Sequence, residues 1–310
     1  FSPEAGDTII CASSGSIVHE FGIYSGDLTG SVLYAMIRKG EWATRRRSGR
    51  HALCRRVELN EDPGELRAFL DILCSTEHRW TDLTDSLSIW KAVIVARLSP
   101  KLGRPSLTAV AIKYLRDIFC ALPDQVPHLF LDNFAVAAAV VDCAETPGLD
   151  WLLPGSLAWC AQYSISVMHS SASLRDPDPP TARKYSLSPR QATRCHAAHG
   201  RLMNARRNRC AALCRFSAPL LCAAQPTCRT KLLAAGKEMM ADPLSISALS
   251  APSQALRDRF EGLCPTCALR AEDVDRLTRA RIWVEVPELF GEDRDWATLR
   301  KSAADYIQGL

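Results

Sequence analysis

The sequence predicts an α/β N-terminal domain followed by an all-α C-terminal region, mostly helical overall. Three observations carry that reading. Near the start, "DTIICAS" is apolar and β-branched, Ser14 and Gly15 supply a turn, and "SIVHEF" resumes the pattern, as paired strands do. From Asp62 onward apolar residues recur at i, i+3, i+4 and i+7 instead, which is helical spacing. After Pro123 the helical pattern is continuous. A length of 310 residues at about 150 per domain points to two domains.

Taken in order, the two strands are followed by "GDLTGSVLYAMI", with Val32, Leu33, Met36 and Ile37 at helical spacing. Residues 38 to 56, "RKGEWATRRRSGRHALCRR", are basic and unpatterned and read as an exposed loop, with "RVELN" a short strand behind it. Asp62-Pro63-Gly64-Glu65 is a helix start: aspartate caps, proline suits the first position, and Glu65 is placed to reach back. Leu66, Phe69, Leu70 and Leu73 then form one apolar stripe. Helices follow near 86–98 and 107–122, the first domain spanning 1–122. A helical extension occupies 123–170, with "LFLDNFAVAAAVVDCAE" apolar on nearly every face and Pro154 opening another helix. Residues 171–188 are rich in Ser, Pro and Asp and read as a flexible linker. The C-terminal helical region, 189–310, opens on the capping box Ser188-Pro189-Arg190-Gln191 and runs helical through about Cys214. It continues with a helix near 228–240, a C-x-x-C, and a helix to about Trp283.

Composition excludes several classes. Apolar residues are 47% and charged residues 23%, the mix of a chain that buries a core. No run of about 18 uncharged apolar residues is present, so no membrane span is expected. "FSPEAGDTII" has no basic n-region with an apolar core behind it, so no signal peptide is read there. Thirteen cysteines is an odd number. Several, among them Cys74, Cys120 and Cys143, sit in apolar helical patterns where free cysteine acts as a small hydrophobe. The expectation is reduced thiols in an intracellular protein of the cytoplasm or nucleus.

The paired cysteines carry the sharpest chemistry. Cys264 and Cys267 form C-x-x-C, and Cys222 and Cys228 form a wider pair upstream. Four thiolates suit a structural tetrahedral zinc site with sulfur about 2.3 Å from the metal; the bland alternative is ordinary packed thiols. A thioredoxin-type role for the C-x-x-C is disfavoured, since that motif works in a βαβ setting and the surroundings here are helical. Cys195 and His199 share a helix face at i, i+4, read as packing without a second ligand pair. His19 reads as a structural residue at a strand end. No G-x-S-x-G, P-loop or G-x-G-x-x-G occurs, and no catalytic residue is nominated. Two basic clusters stand out: Arg45, Arg46, Arg47, Arg50, Arg55 and Arg56, then Arg201, Arg206, Arg207 and Arg209. They keep a zinc-stabilised nucleic-acid-binding regulator as the alternative function. The 34 acidic against 38 basic residues favour solvated faces, and nucleic acid is not the expected partner.

The order of pieces resembles the BTB/POZ domain. "DTIICASSGSIVHEF" places His19 where that family carries its F-x-V-H histidine, "GSVLYAMI" stands for its S-x-x-F-x-x-M helix, and "VELNEDPGELRAFLDILC" for the strand, acidic turn and helix that follow. Farther on, "YLRDIFCALP", "LDWLLPGSLAWC", "LCPTCALRAEDVDRLTRARIW" with Arg279 and Trp283, and "VPELFG" are similar to a fungal group of BTB-domain proteins with a helical extension. The resemblance implies a non-catalytic scaffold or adaptor for protein–protein interaction. It also implies homodimers or heterodimers and, in some families, cullin-type ubiquitin ligase partners. On that basis the Gly22 to Ile37 element, with Leu33 and Met36, is expected to mediate self-association together with the first strand.

Overall fold

The computed structural model describes residues 8–14, 17–23, 35, 38–39, 41–47, 50–74, 86–121, 133–173, 183–214, 222, 224–241, 248–249, 260 and 262–310. The chain divides into two compact units: Phe1–Leu115 with Ser171–Ser186 and Ala304–Leu310, and Arg116–Ser170 with Leu187–Ala303. Helices dominate, with one small sheet at the N-terminal end.

In the first unit, β1 (Thr8–Ser14) and β2 (Ile17–Ile23) form an antiparallel hairpin, and β4 (Arg50–Leu59) lies parallel to β1 on its other side. The sheet order is β2-β1-β4-β3, with β3 (Glu41–Arg47) antiparallel to β4. Thr8 through Ala12 of the inner strand β1 are all buried, and a strand covered on both faces is read from a continuous apolar run such as this one. The basic stretch expected as an exposed loop is thus a hairpin, paired from Glu41 with Arg56 to Arg47 with Arg50. Charge does not oppose that arrangement, because β3 is an edge strand and basic edges keep sheets from pairing further. The helix expected around Val32, Leu33, Met36 and Ile37 lies outside the described residues, although Ala35, Arg38 and Lys39 are helical.

Helix α1 (Pro63–Cys74) starts as its sequence dictates: Asp62 Oδ1 accepts the N–H groups of Gly64 at 2.9 Å and Glu65 at 3.1 Å. Glu65, however, does not reach back to complete a capping box. Its side chain is buried, and its carboxylate accepts from the Tyr185 hydroxyl and from Arg97, with Arg183 at 3.5 Å. Trp90, on α2 (Ser86–Lys101), donates its indole N–H to the Tyr185 oxygen at 3.0 Å. A buried carboxylate costs several kcal/mol unless paired, and that demand outweighs a surface cap here. The expected linker therefore includes, at Lys184–Tyr185, a strand β6 that pairs with β5 (Ala172–Ser173) and buries Tyr185. Helix α3 (Pro105–Phe119) follows α2 after a left-handed Gly103 that closes its end.

The second unit is helical among the described residues. Helix α4 (Phe134–Ala144) is buried from Phe134 through Val141, as its uniformly apolar sequence requires. Asn133 caps it by accepting the Ala135 N–H at 2.9 Å. Helix α5 (Leu153–Cys160) follows; its Gly155 approaches the Phe119 carbonyl so closely that a Cβ would collide with it. A one-turn helix α6 (Ile165–Met168) precedes α7 (Pro189–Cys214). There the expected capping box forms: Ser188 N–H donates to Gln191 Oε1 at 2.7 Å, and Gln191 N–H points to Ser188 Oγ at 3.4 Å. Then come α8 (Gln225–Ala241), α9 (Pro265–Leu289) and α10 (Trp296–Gln308). Helix α9 runs past Trp283, where a stop was expected. Trp283 stacks on Trp296 with centroids 4.5 Å apart and donates to the Ala121 carbonyl at 2.8 Å, so packing carries the helix onward.

Candidate metal centre

Helix α9 buries one stripe: Cys267, Ala271, Asp275, Arg279 and Trp283 recur every four residues and are all buried. Four residues advance a helix by about one turn, so this is a single face. Against it pack α7 and α8 through a small core of Cys210, Leu213, Leu232, Ala235 and Phe260 around Ala271. Below that core Asp275 accepts from Arg209 of α7 at 2.6 Å and from Arg279 at 3.0 Å. Arg209 and Asp275 are each 1% exposed, so the charges are paired out of water. Above the core stand the cysteines.

Two chain segments meet there in the same way. Cys222 stands just ahead of α8 and Cys228 in its first turn; Cys264 is the N-cap of α9, Pro265 its first residue, and Cys267 lies in its first turn. Helix N-termini present unpaired N–H groups and the positive end of the dipole, so both favour negative sulfur. The four Sγ atoms lie within 4.8 Å of one another. Cys222 Sγ is 3.7 Å from Cys264 Sγ and 3.5 Å from Cys267 Sγ. The edge of a sulfur tetrahedron at about 2.3 Å from a metal is about 3.8 Å, so one ion fits once the longest pair closes by about 1 Å. This cluster of four cysteines could hold a metal ion.

The backbone around the sulfurs is arranged as donors. The Cys264 N–H points at Cys228 Sγ at 3.4 Å, the Ala224 N–H acts on Cys222, and the Cys267 N–H acts on Cys264. Such bonds offset thiolate charge. The Cys267 N–H is the largest influence on Cys264 and holds its thiol down at about 7. Desolvation instead pushes Cys222 and Cys267 up, and for Cys267 the neighbouring sulfurs add to that rise. Four sulfurs crowded together do not all ionise unaided; a divalent cation removes that conflict.

Other residues singled out in the sequence fare differently. Cys195 is buried and donates to the Leu157 carbonyl at 3.6 Å, while His199 Nδ1 sits 2.8 Å from the Ala161 carbonyl, so both serve to pack α7 against α5. His19 lies mid-strand in β2 opposite Ala12 and is half-buried, rather than at a strand end in the core. Arg206 and Arg209 are 8% and 1% exposed, whereas Arg201 and Arg207 face solvent. Arg56 pairs with Glu20 and Glu58; the side chains of Arg45, Arg46, Arg47, Arg50 and Arg55 lie outside the described residues, as do Leu33 and Met36. The Asp275 node went unread in the sequence. Its signal was present, an acid two turns beyond Cys267 with Arg279 one turn further along the same buried face.

No protein-family model, curated protein or solved structure matches the chain. Among the described residues no helix is long and apolar enough to cross a membrane.

Proposed function

We propose that the chain is a non-catalytic protein–protein interaction module of the BTB/POZ type, whose helical unit is braced by one structural zinc ion on Cys222, Cys228, Cys264 and Cys267. The observation that supports the zinc is the meeting of four sulfurs from two segments, with backbone donors turned towards them. A closed tetrathiolate has no open position for water or substrate, which suits bracing and not chemistry. What supports the interaction role is the order of elements: a hairpin whose first strand takes a parallel partner after a crossover, then helices. The resemblance to BTB domains rests on that hairpin and on the strand and helices after it, together with short helices between them that lie largely outside the described residues. Its partners are then other proteins, a second copy of this chain or a cullin-type ubiquitin ligase scaffold among them. The burial of Arg206 and Arg209 removes half of the α7 cluster on which phosphate binding would draw, so the protein-interaction reading is the one retained.

Both halves have direct tests. Elemental analysis of the full chain should give one zinc per chain, and none would end the zinc reading. Sedimentation should show self-association that Leu33→Glu with Met36→Glu abolishes while zinc is kept. A wild-type chain that stays monomeric, or a dimer untouched by the double substitution, removes that interaction surface.

A further inference from the structure

We propose that Cys222 and Cys264 form the reactive edge of the tetrathiolate, and that thiol–disulfide exchange with a small soluble disulfide joins them to each other and releases the ion. This rests on the zinc reading above. The four sulfurs are equivalent as donors but unequal in position. Cys228 and Cys267 are 0% exposed, while Cys222 and Cys264 are partly exposed. Exchange requires an attacking sulfur to meet the incoming disulfide in line, so access selects the site. The two accessible sulfurs are also neighbours, 3.7 Å apart, and they come from segments 42 positions apart in the chain.

The step balances without further reagents. One accessible thiolate attacks a sulfur of the small disulfide, forming a mixed disulfide and expelling one small thiolate. The other accessible thiolate then attacks the cysteine sulfur of that mixed bond and expels the second. Two cysteine sulfurs lose two electrons, the small disulfide gains two, and the ion stays divalent. A pair drawn to about 2.05 Å has given up both negative charges. Cys228 and Cys267 remain, two ligands where a structural site needs four. Cys267 competes for Cys222 at 3.5 Å, but it is buried, so the final pairing distinguishes access from proximity.

The test uses the full-length, zinc-loaded chain treated with oxidised glutathione. A chromogenic chelator follows zinc release, and peptide mass mapping identifies the bond. The expected result is one zinc released per disulfide formed, with Cys222 joined to Cys264. Cys222→His keeps a metal-ligating nitrogen and should hold zinc while slowing release by about tenfold or more. Zinc retained under full oxidation, a Cys222–Cys267 or Cys264–Cys267 bond, or unchanged release from Cys222→His overturns the proposal. The wild-type map decides the matter even where the variant fails to fold. A chain that takes up no zinc at all is a different outcome, one that removes the zinc reading and this inference together.

Discussion

Two groups of cysteines lie in the same helical unit and use their sulfurs in opposite ways. In the core around α5, Cys120 donates to the Trp151 carbonyl at 3.3 Å and Cys195 to the Leu157 carbonyl at 3.6 Å. Burial pushes the Cys120 and Cys160 thiols up, and Cys195 to about 12. These are neutral thiols acting as small hydrophobes with a weak donor. At the entrance to α8 and α9 the polarity reverses, and the Cys264 backbone N–H points at the Cys228 sulfur. A thiol seeks a carbonyl; a thiolate seeks donors or a cation. The direction of the hydrogen bond therefore separates packing from ligation where residue type and burial do not.

The largest test of that contrast is Cys267→Ser. With zinc at about a thousand times its dissociation constant, losing the site removes about 4 kcal/mol. Calorimetry should show the variant melting with chelator-treated wild type, and a melting temperature indifferent to both would erase the distinction. Next comes Asp275→Ala, which leaves two buried guanidinium groups without the carboxylate between them. Breaking a buried pair costs about 3–5 kcal/mol, read from the urea midpoint. Zinc content should survive in whatever fraction folds, because Ala271 and its core lie between that node and Cys267. The smallest effect belongs to Cys195→Ala, about 1 kcal/mol for a shallow cavity, with zinc per chain unchanged. A loss of zinc in that variant would show the two groups of cysteines to be one system.

Much of the helical architecture was legible because its determinants sit within a few residues of one another. Asp62 with Pro63, Ser188 with Gln191, and the apolar "FAVAAAVV" of α4 each act over one or two turns. The two halves of the cysteine centre were legible for the same reason, each being a cysteine ahead of a helix and another in its first turn. Less legible were elements whose partners are distant. The β3–β4 hairpin hid in a basic stretch, since strand pairing of "EWATRRR" depends on a sheet to join and not on its own periodicity. Glu65 matched a capping box locally, yet a tyrosine 120 positions along the chain and two arginines claimed its carboxylate.

The sequence by itself determined where most helices begin, which cysteines stand in pairs, and that the chain is mostly helical with strands at its start. Only the tertiary structure decided that Cys222 meets Cys264 and Cys267, that Arg209 and Arg279 share Asp275, and that Arg206 faces inward. The physical reason is range. Caps and apolar periodicity act between residues a turn apart, whereas desolvation compels buried charges and sulfurs to find partners wherever packing brings them, tens of residues away.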